Sequence, residues 1–372
     1  MLLKSLYGLK NAPRIWFKTL SKALAELGFT QSELDPCLWH IQNGDLYVIL
    51  VFVVDDIMVA SNDNDFINDL VAEFRKRFKV TDMGQPEYIL GMHLHYDRAL
   101  GFIRLTQERY IKAIAKRFGI DGSRPVTTPH NSTKLCESMC ASKAGTQDKM
   151  KDKPYREMVG CILYACLCHP EICVRTSELA KYCHDAGVPM WNALTHLMRF
   201  LLEHCMEGLS FRATLPTGID IKAFSDSSFH GQIDTTRSRC GYLIYFLCCL
   251  ICFRTMLQNV TVHSSCEAEY LGASMATRDV VFLRMFVEEL GYPQTGPTPL
   301  ALDNEAAIKL SQNKILTGRT KTVQRKENYV REMHHAEVVR CGWVSHEYQA
   351  ADIMTKCQRK ELFLRNKVLV VD

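Results

Sequence analysis

Leu46-Tyr-Val-Ile-Leu-Val-Phe-Val-Val-Asp-Asp-Ile-Met-Val-Ala60 sets two carboxylates, Asp55 and Asp56, between two runs of β-branched and aliphatic residues. That pattern predicts a strand, a tight turn and a returning strand. Adjacent carboxylates buried against apolar strands are costly unless a cation compensates them, so the hairpin tip is a candidate metal site. The alternative is a solvent-exposed Asp-Asp turn, since Asp is a common turn residue.

Downstream, Phe66, Leu70, Phe74 and Phe78 recur at helical spacing, with Arg75, Lys76, Arg77 and Lys79 crowding the end of that helix. Cations there suit the helix C-terminus or a phosphate backbone, with an ordinary solvated face as the alternative. Residues 88–94 and 101–106 read as strands and 107–118 as a helix. From 121 to 154 the chain is polar and aperiodic, which predicts a linker or a poorly ordered loop. Residues 155–167 and 191–202 read as amphipathic helices, the second through Trp191, Leu194, Leu197, Met198 and Leu201. His196 and His204 are read there as packing or surface residues.

The 372 residues allow two or three domains, and a hydrophobic content of 47% is ample for buried cores. A net charge of +4 permits nucleic-acid binding without arguing for it. No signal-peptide pattern opens the chain, and the apolar runs at 46–54 and 241–253 are too short to span a bilayer, so no membrane partner is expected. Most of the 16 cysteines lie inside apolar segments and read as reduced core residues. The cluster Cys161, Cys166, Cys168, His169 and Cys173 lacks the paired Cys-x-x-Cys spacing of a zinc site.

The last third holds four carboxylates in a recurring context. Ile219, Ile221 and Ala223 alternate up to Asp226, and two further strand-like runs follow. Ser264-x-x-Glu267 forms a capping box at a helix start, which occupies Glu267 and leaves Glu269 free to serve as a ligand. Leu300-Ala301-Leu302-Asp303 reads as a short strand with Asn304 available to cap the next helix, and Tyr348 to Met354 as the start of the last helix, carrying Asp352. If the strands are neighbours, the four acids converge at one end of the sheet, where their repulsion demands cations.

The stretch from Ser5 to Trp16, Leu34-Asp35-Pro36-Cys37-Leu38 and the Asp55-Asp56 hairpin together resemble the reverse transcriptase of copia-type LTR retrotransposons. That family carries a Tyr-Gly-Leu-Lys-Gln-Ala-Pro-Arg-like segment and a Tyr-Val-Asp-Asp hairpin; Asn11 here replaces the glutamine and Val53 the tyrosine. Phe224-Ser225-Asp226, Ser264 to Tyr270, Leu302 to Ile308 and Ala351 to Lys356 resemble, in that order, the RNase H domain of the same Pol polyproteins. The resemblance implies α/β and α+β architecture: partial palm at 1–97, thumb-like segment at 98–130, linker at 131–154, helical connection at 155–212 and an RNase H-like α/β domain at 213–360. It makes Asp55 and Asp56 two of three polymerase metal ligands. The third lies upstream of Tyr7 in the family, so no independent polymerase activity is expected, and a separate upstream Pol segment is a candidate partner.

By the same resemblance Asp226, Glu269, Asp303 and Asp352 bind two Mg²⁺ ions, or Mn²⁺, for hydrolysis of the RNA strand of an RNA/DNA hybrid inside the cell, in a cytoplasmic virus-like particle or the nucleus. Arg319, Lys321, Arg325, Lys326 and Arg331 are candidates for backbone contacts, with a solvated basic face as the alternative. His346 is a candidate for proton transfer or product release, with a surface histidine as the alternative. Where the family has a Gly-rich turn, Ser-Trp and a Lys-Lys-Gln run, this chain has Cys248 to Gln258, without the flexible turn positions or the lysines. The rival expectation is a remnant that binds nucleic acid without cleaving it.

Overall fold

The computed structural model describes residues 8–131, 133–229, 233–313 and 328–371, and Ser5, Leu6 and Tyr7 lie outside them. Two compact units divide the chain, one reaching Pro86 and including Phe286–Gly291, the other made of Glu87–Met285 and Tyr292–Asp372.

In the first unit the chain runs through α1 (Ala12–Glu26), β1 (Thr30–Gln31), β2 (Leu38–Asn43), β3 (Leu46–Val53), β4 (Asp56–Ser61) and α2 (Asn64–Arg77). Pro13 opens α1, where its missing amide costs nothing, and the Asp63 carboxylate caps α2 by accepting from the amides of Asp65 and Phe66. The strands form an antiparallel sheet in the order β1-β2-β3-β4. Side chains alternate across a strand, so Val48, Leu50 and Phe52 of β3 are buried while Tyr47, Ile49 and Val51 are half-buried. Leu20 and Leu24 of α1 and Leu70 and Phe74 of α2 close that core. The basic end of α2 is held by carboxylates: Lys76 pairs with Glu73, Arg77 with Glu26 and Arg75 with Asp82.

The second unit opens with β5 (Tyr88–Ile89), β6 (Met92–Asp97), β7 (Phe102–Thr106) and α3 (Glu108–Arg117). The segment read as a linker instead carries a 3-10 turn at Glu137–Met139 and two single-turn helices, α4 (Ala141–Ala144) and α5 (Gln147–Met150). It is tied down at isolated points. The His130 ring bonds the Gln358 carbonyl at 2.6 Å, and the Ser142 amide donates to Asp185 at 3.1 Å. Such anchors leave no period in the sequence, which is why composition alone misses them. Then come α6 (Tyr155–Ala165), α7 (Cys173–Ala180), α8 (Val188–Glu203) and β8 (Gly208–Arg212), the last completing an antiparallel sheet in the order β5-β6-β7-β8.

The remaining elements are β9 (Ile221–Ser228), β10 (Arg239–Phe246), β11 (Cys249–Leu257), α9 (Ser265–Glu289), β12 (Thr298–Leu302), α10 (Glu305–Gln312), α11 (Asn328–His335), β13 (Val339–Trp343) and α12 (Lys360–Lys367). Their strands pair in the order β11-β10-β9-β12-β13, antiparallel through β9 and parallel from β9 to β13. This is an RNase H-like α/β sheet, as the resemblance implies. Alternation along β10 assigns its two faces. Tyr242 and Cys240 meet Asp279 and Met275 of α9, while Leu243 on the other face shares a core with α3, α6, α7, α8 and Phe363 of α12. The helices read as a connection are therefore the second covering layer of the sheet. Among the described residues no helix is long and apolar enough to cross a membrane.

Between the paired residues Phe246 and Cys249 only Leu247 and Cys248 make the turn, and both take left-handed φ values, +49° and +66°. Two-residue hairpin turns demand that geometry because it matches strand twist, and they favour Gly or Asn in it. A left-handed side chain costs roughly 1–2 kcal/mol. The Leu247→Gly/Cys248→Gly double variant should accordingly gain about 1–2 kcal/mol in urea unfolding; an unchanged or lower midpoint would refute the strain.

Candidate active site

Three local devices deliver the carboxylates of the last third to one place. Asp226 lies near the end of β9 opposite Gly241 of β10. Asp303 follows the last residue of β12, and the Asn304 side chain accepts from the Ala307 amide at 3.1 Å, which ends the strand and starts α10. Asp352 sits in a 3-10 turn, Ala350–Met354, and not in an α-helix as its sequence suggested. That turn lies so close to β10 that a Cβ on Gly241 would come within 2.4 Å of the Met354 Cβ and 2.7 Å of its carbonyl oxygen. Buried Gln349 pins its start, donating to the Ser225 carbonyl at 3.0 Å and accepting from the Ala351 amide.

The fourth acid comes from the first turns of α9. Ser264 accepts from the Glu267 amide at 3.1 Å, and Glu267 reaches back to the His263 amide at 2.7 Å, a capping box stretched by one residue. The Ser227 hydroxyl and the Gln258 amide group both donate to the Ala268 carbonyl, and Glu269 accepts from the Ser227 amide at 3.1 Å. Its other oxygen, Oε2, is buried without a partner.

Asp226, Asp303 and Asp352 each offer a carboxylate oxygen, all within 4.8 Å of one another. Burial, with the charges of Asp226 and Asp303 added, pushes the Glu269 carboxyl up to about 10. Burial and Asp226 push Asp352 up to about 6, and the same two causes raise Asp303. Lys356 answers part of this charge, its Nζ lying 2.7 Å from Asp352 Oδ1 and 3.8 Å from Asp226 Oδ2. Burial works against that ammonium, yet Asp226 and Asp352 outweigh it and raise its pKa. Thr355 donates its hydroxyl to Asp226, and the His346 Nδ1 lies 2.6 Å from Asp303 Oδ2. An all-oxygen set with surplus negative charge and an unpartnered buried oxygen fits a hard divalent cation such as Mg²⁺ or Mn²⁺.

The family profile described as reverse transcriptase (RNA-dependent DNA polymerase) matches residues 1–132. The retrovirus-related Pol polyprotein of transposon TNT 1-94 from Nicotiana tabacum is 30% identical over 370 residues, 99% of this chain and 28% of its own. The N-terminal third thus matches a reverse transcriptase family, and almost the whole chain is similar to the C-terminal region of copia-type retrotransposon Pol polyproteins. The Pol polyprotein of transposon RE1 from Arabidopsis thaliana is likewise 30% identical, over 95% of this chain and 24% of its own. The chain thus spans about a quarter of the length of these curated relatives. A solved RNase H1 isolated from compost aligns with 37% of this chain and 93% of its own at 16% identity, with a TM-score of 0.29.

The other residues singled out in the sequence fall elsewhere. Asp55 and Asp56 are exposed at the tip between β3 and β4, so the burial that suggested a metal site there does not occur; the exposed-turn alternative describes them. Val54 beside them holds a left-handed φ of +60°, unusual for a β-branched residue, and its carbonyl accepts from the Trp16 indole. Arg331 lies in α11 and donates to Asn328, whereas Arg319, Lys321, Arg325 and Lys326 lie outside the described residues. Sequence reasoning passed over Lys356, Thr355 and Gln349 as individual residues. Lys356, four residues after Asp352 inside a quoted motif, carried a usable signal, but Gln349 carried none.

Two outcomes follow from the crowded carboxylates. Glu269 has its pKa raised on folding, so without divalent cation its contribution is full below about pH 4.5, the ordinary value, and is lost as pH climbs toward about 10. The melting temperature in EDTA should fall from pH 5 to pH 8, and Glu269→Gln should flatten that fall; a variant with the wild-type slope would refute the assignment. Gly241→Ala, by displacing Met354, should destabilise by about 2–4 kcal/mol in chemical denaturation, against a null effect if the turn can yield.

Proposed function

We propose that this chain hydrolyses the RNA strand of an RNA/DNA hybrid. The convergence of Asp226, Asp303 and Asp352 within 4.8 Å, with Glu269 held protonated by burial and by the charges of Asp226 and Asp303, carries that reading. Asp226, Glu269, Asp303 and Asp352 would hold two Mg²⁺ ions, which when bound activate water and stabilise a leaving 3′ oxygen. Lys356 keeps the carboxylates of Asp352 and Asp226 aligned while the negative charge is uncompensated. His346, 81% exposed with Nδ1 on Asp303, stands where it can hold a proton as product departs. The RNA strand is distinguished by its 2′-hydroxyls and helical shape. Along the chain, 1–97 and 98–130 are palm- and thumb-derived, 131–154 and 155–212 support, and 213–360 carries the chemistry.

A second reading has an observation of its own. The stretch Cys248 to Gln258, most of it β11, contains no lysine where the family carries its Lys-Lys-Gln run, which favours binding of hybrid without cleavage.

Purified protein incubated with an end-labelled hybrid should cleave in Mg²⁺ and not in EDTA. Asp226→Ala should reduce cleavage to background with an unchanged circular dichroism spectrum. Cleavage persisting in that variant would overturn the nuclease, and no cleavage by folded wild type would leave the binding reading.

A further inference from the structure

Within the second unit, α7, residues 128, 130, 131 and 133–135, and the residues just after Asp352 wall a cavity of about 500 Å³. It reaches Thr355 and Lys356, the residues that touch Asp226, yet its charge is the opposite of the carboxylate cluster's. Arg239 lines it although only 1% of this residue is exposed. Its Nη1 donates to Ser177 and Thr255, at 3.0 and 3.1 Å, while Nη2 has no partner. Lys181 is close enough that, after burial, the Arg239 charge is the next cause depressing its pKa. Lys134, Arg359 and Lys360 add further cations to the wall.

The two acids in that wall are already engaged. Glu178 accepts from Arg175 at 3.0 Å, and Asp234 accepts from the Glu137 amide at 3.0 Å and the Tyr182 hydroxyl at 2.8 Å. Glu178 acts on Arg239, and Glu178 and Asp234 on Lys181, but burial outweighs them, and among the described residues neither cation is bonded to a carboxylate; a buried guanidinium with a free N–H beside a second half-buried cation is an unfavourable arrangement until an anion arrives. A guanidinium fork beside ammonium groups matches a phosphate.

We propose that this cavity is a phosphate subsite, gripping a backbone phosphate of the nucleic acid whose neighbouring stretch lies over the carboxylates. It rests on the nuclease reading for the identity of its ligand but on Arg239, Lys181 and Arg359 for its existence. The subsite gives the strand a second point of attachment, so that the scissile phosphate is brought to the acids by cations rather than repelled by them.

The test is fluorescence anisotropy with a labelled RNA/DNA hybrid in EDTA over a range of salt. Lys181→Gln/Arg359→Gln, at one half-buried and one exposed position, should weaken binding roughly 3- to 10-fold and make the slope of log K against log salt shallower by about 1–2. Arg239→Met should weaken binding similarly and melt higher than wild type, since it removes an uncompensated buried charge. Wild-type affinity and slope in the double variant, or no binding of hybrid by wild type, would overturn the subsite. A lower melting temperature with full affinity in Arg239→Met would do so too, by marking the residue as structural. Because binding is read without metal, weakened binding in a protein that never cleaves would keep the subsite and sink the nuclease. Metal-dependent cleavage with unaltered binding in the double variant would sink the subsite alone.

Discussion

The crowding of Asp226, Asp303 and Asp352, which with burial keeps Glu269 beside them protonated, is the constraint to which the surrounding contacts answer. Like charges brought together out of water raise one another's free energy, and the close approach of Asp352 is imposed by contacts that do not relax. Gly241 leaves no room between β10 and the 3-10 turn, Gln349 ties that turn to β9, and Ser227 and Gln258 fix the first turns of α9. Each is a polar or steric contact at the C-terminal ends of parallel strands or beside them. Apolar burial elsewhere in the unit supplies the free energy that holds these groups in place.

Much of this was legible in the residues themselves. The strand-turn-strand over 46–60, the capping box at Ser264, the Asn304 cap and the ends of β9 and β12 all depend on short-range chemistry that a sequence displays directly. The less legible features depend on distant partners. Gln349 looks like any polar residue until Ser225, more than a hundred positions earlier, is placed beside it. Asp55 and Asp56 show the converse: apolar flanks suggested burial, but Val54 and Asp55 make the turn, Asp56 pairs with Val53 at the strand end, and all four are exposed. Residues 121–154 mislead in the same way, since one ring nitrogen on one carbonyl can order a segment with no hydrophobic period.

Charge is divided sharply over a short distance. Lys356 belongs to both sides, bonded to the acids yet lining the basic cavity, and Thr355 next to it does the same through Asp226. The buried Arg239 occupies the strand position just before Cys240 and Gly241, so the packing that admits Asp352 to the site also sets the guanidinium under the cavity floor. Arg239 beside the basic cavity and Gly241 beside the acids thus stand two positions apart on β10.

Leu243 of β10 and Met354 of the 3-10 turn share a single hydrophobic cluster with α6, α7, α8 and Phe363. A boundary expected at residue 213 from the resemblance therefore cuts through one hydrophobic cluster. That face of the sheet and the helices before it share one interior, so they are expected to melt in one cooperative transition, and the sheet could not be moved as a freely exchangeable module without the helices that line its underside.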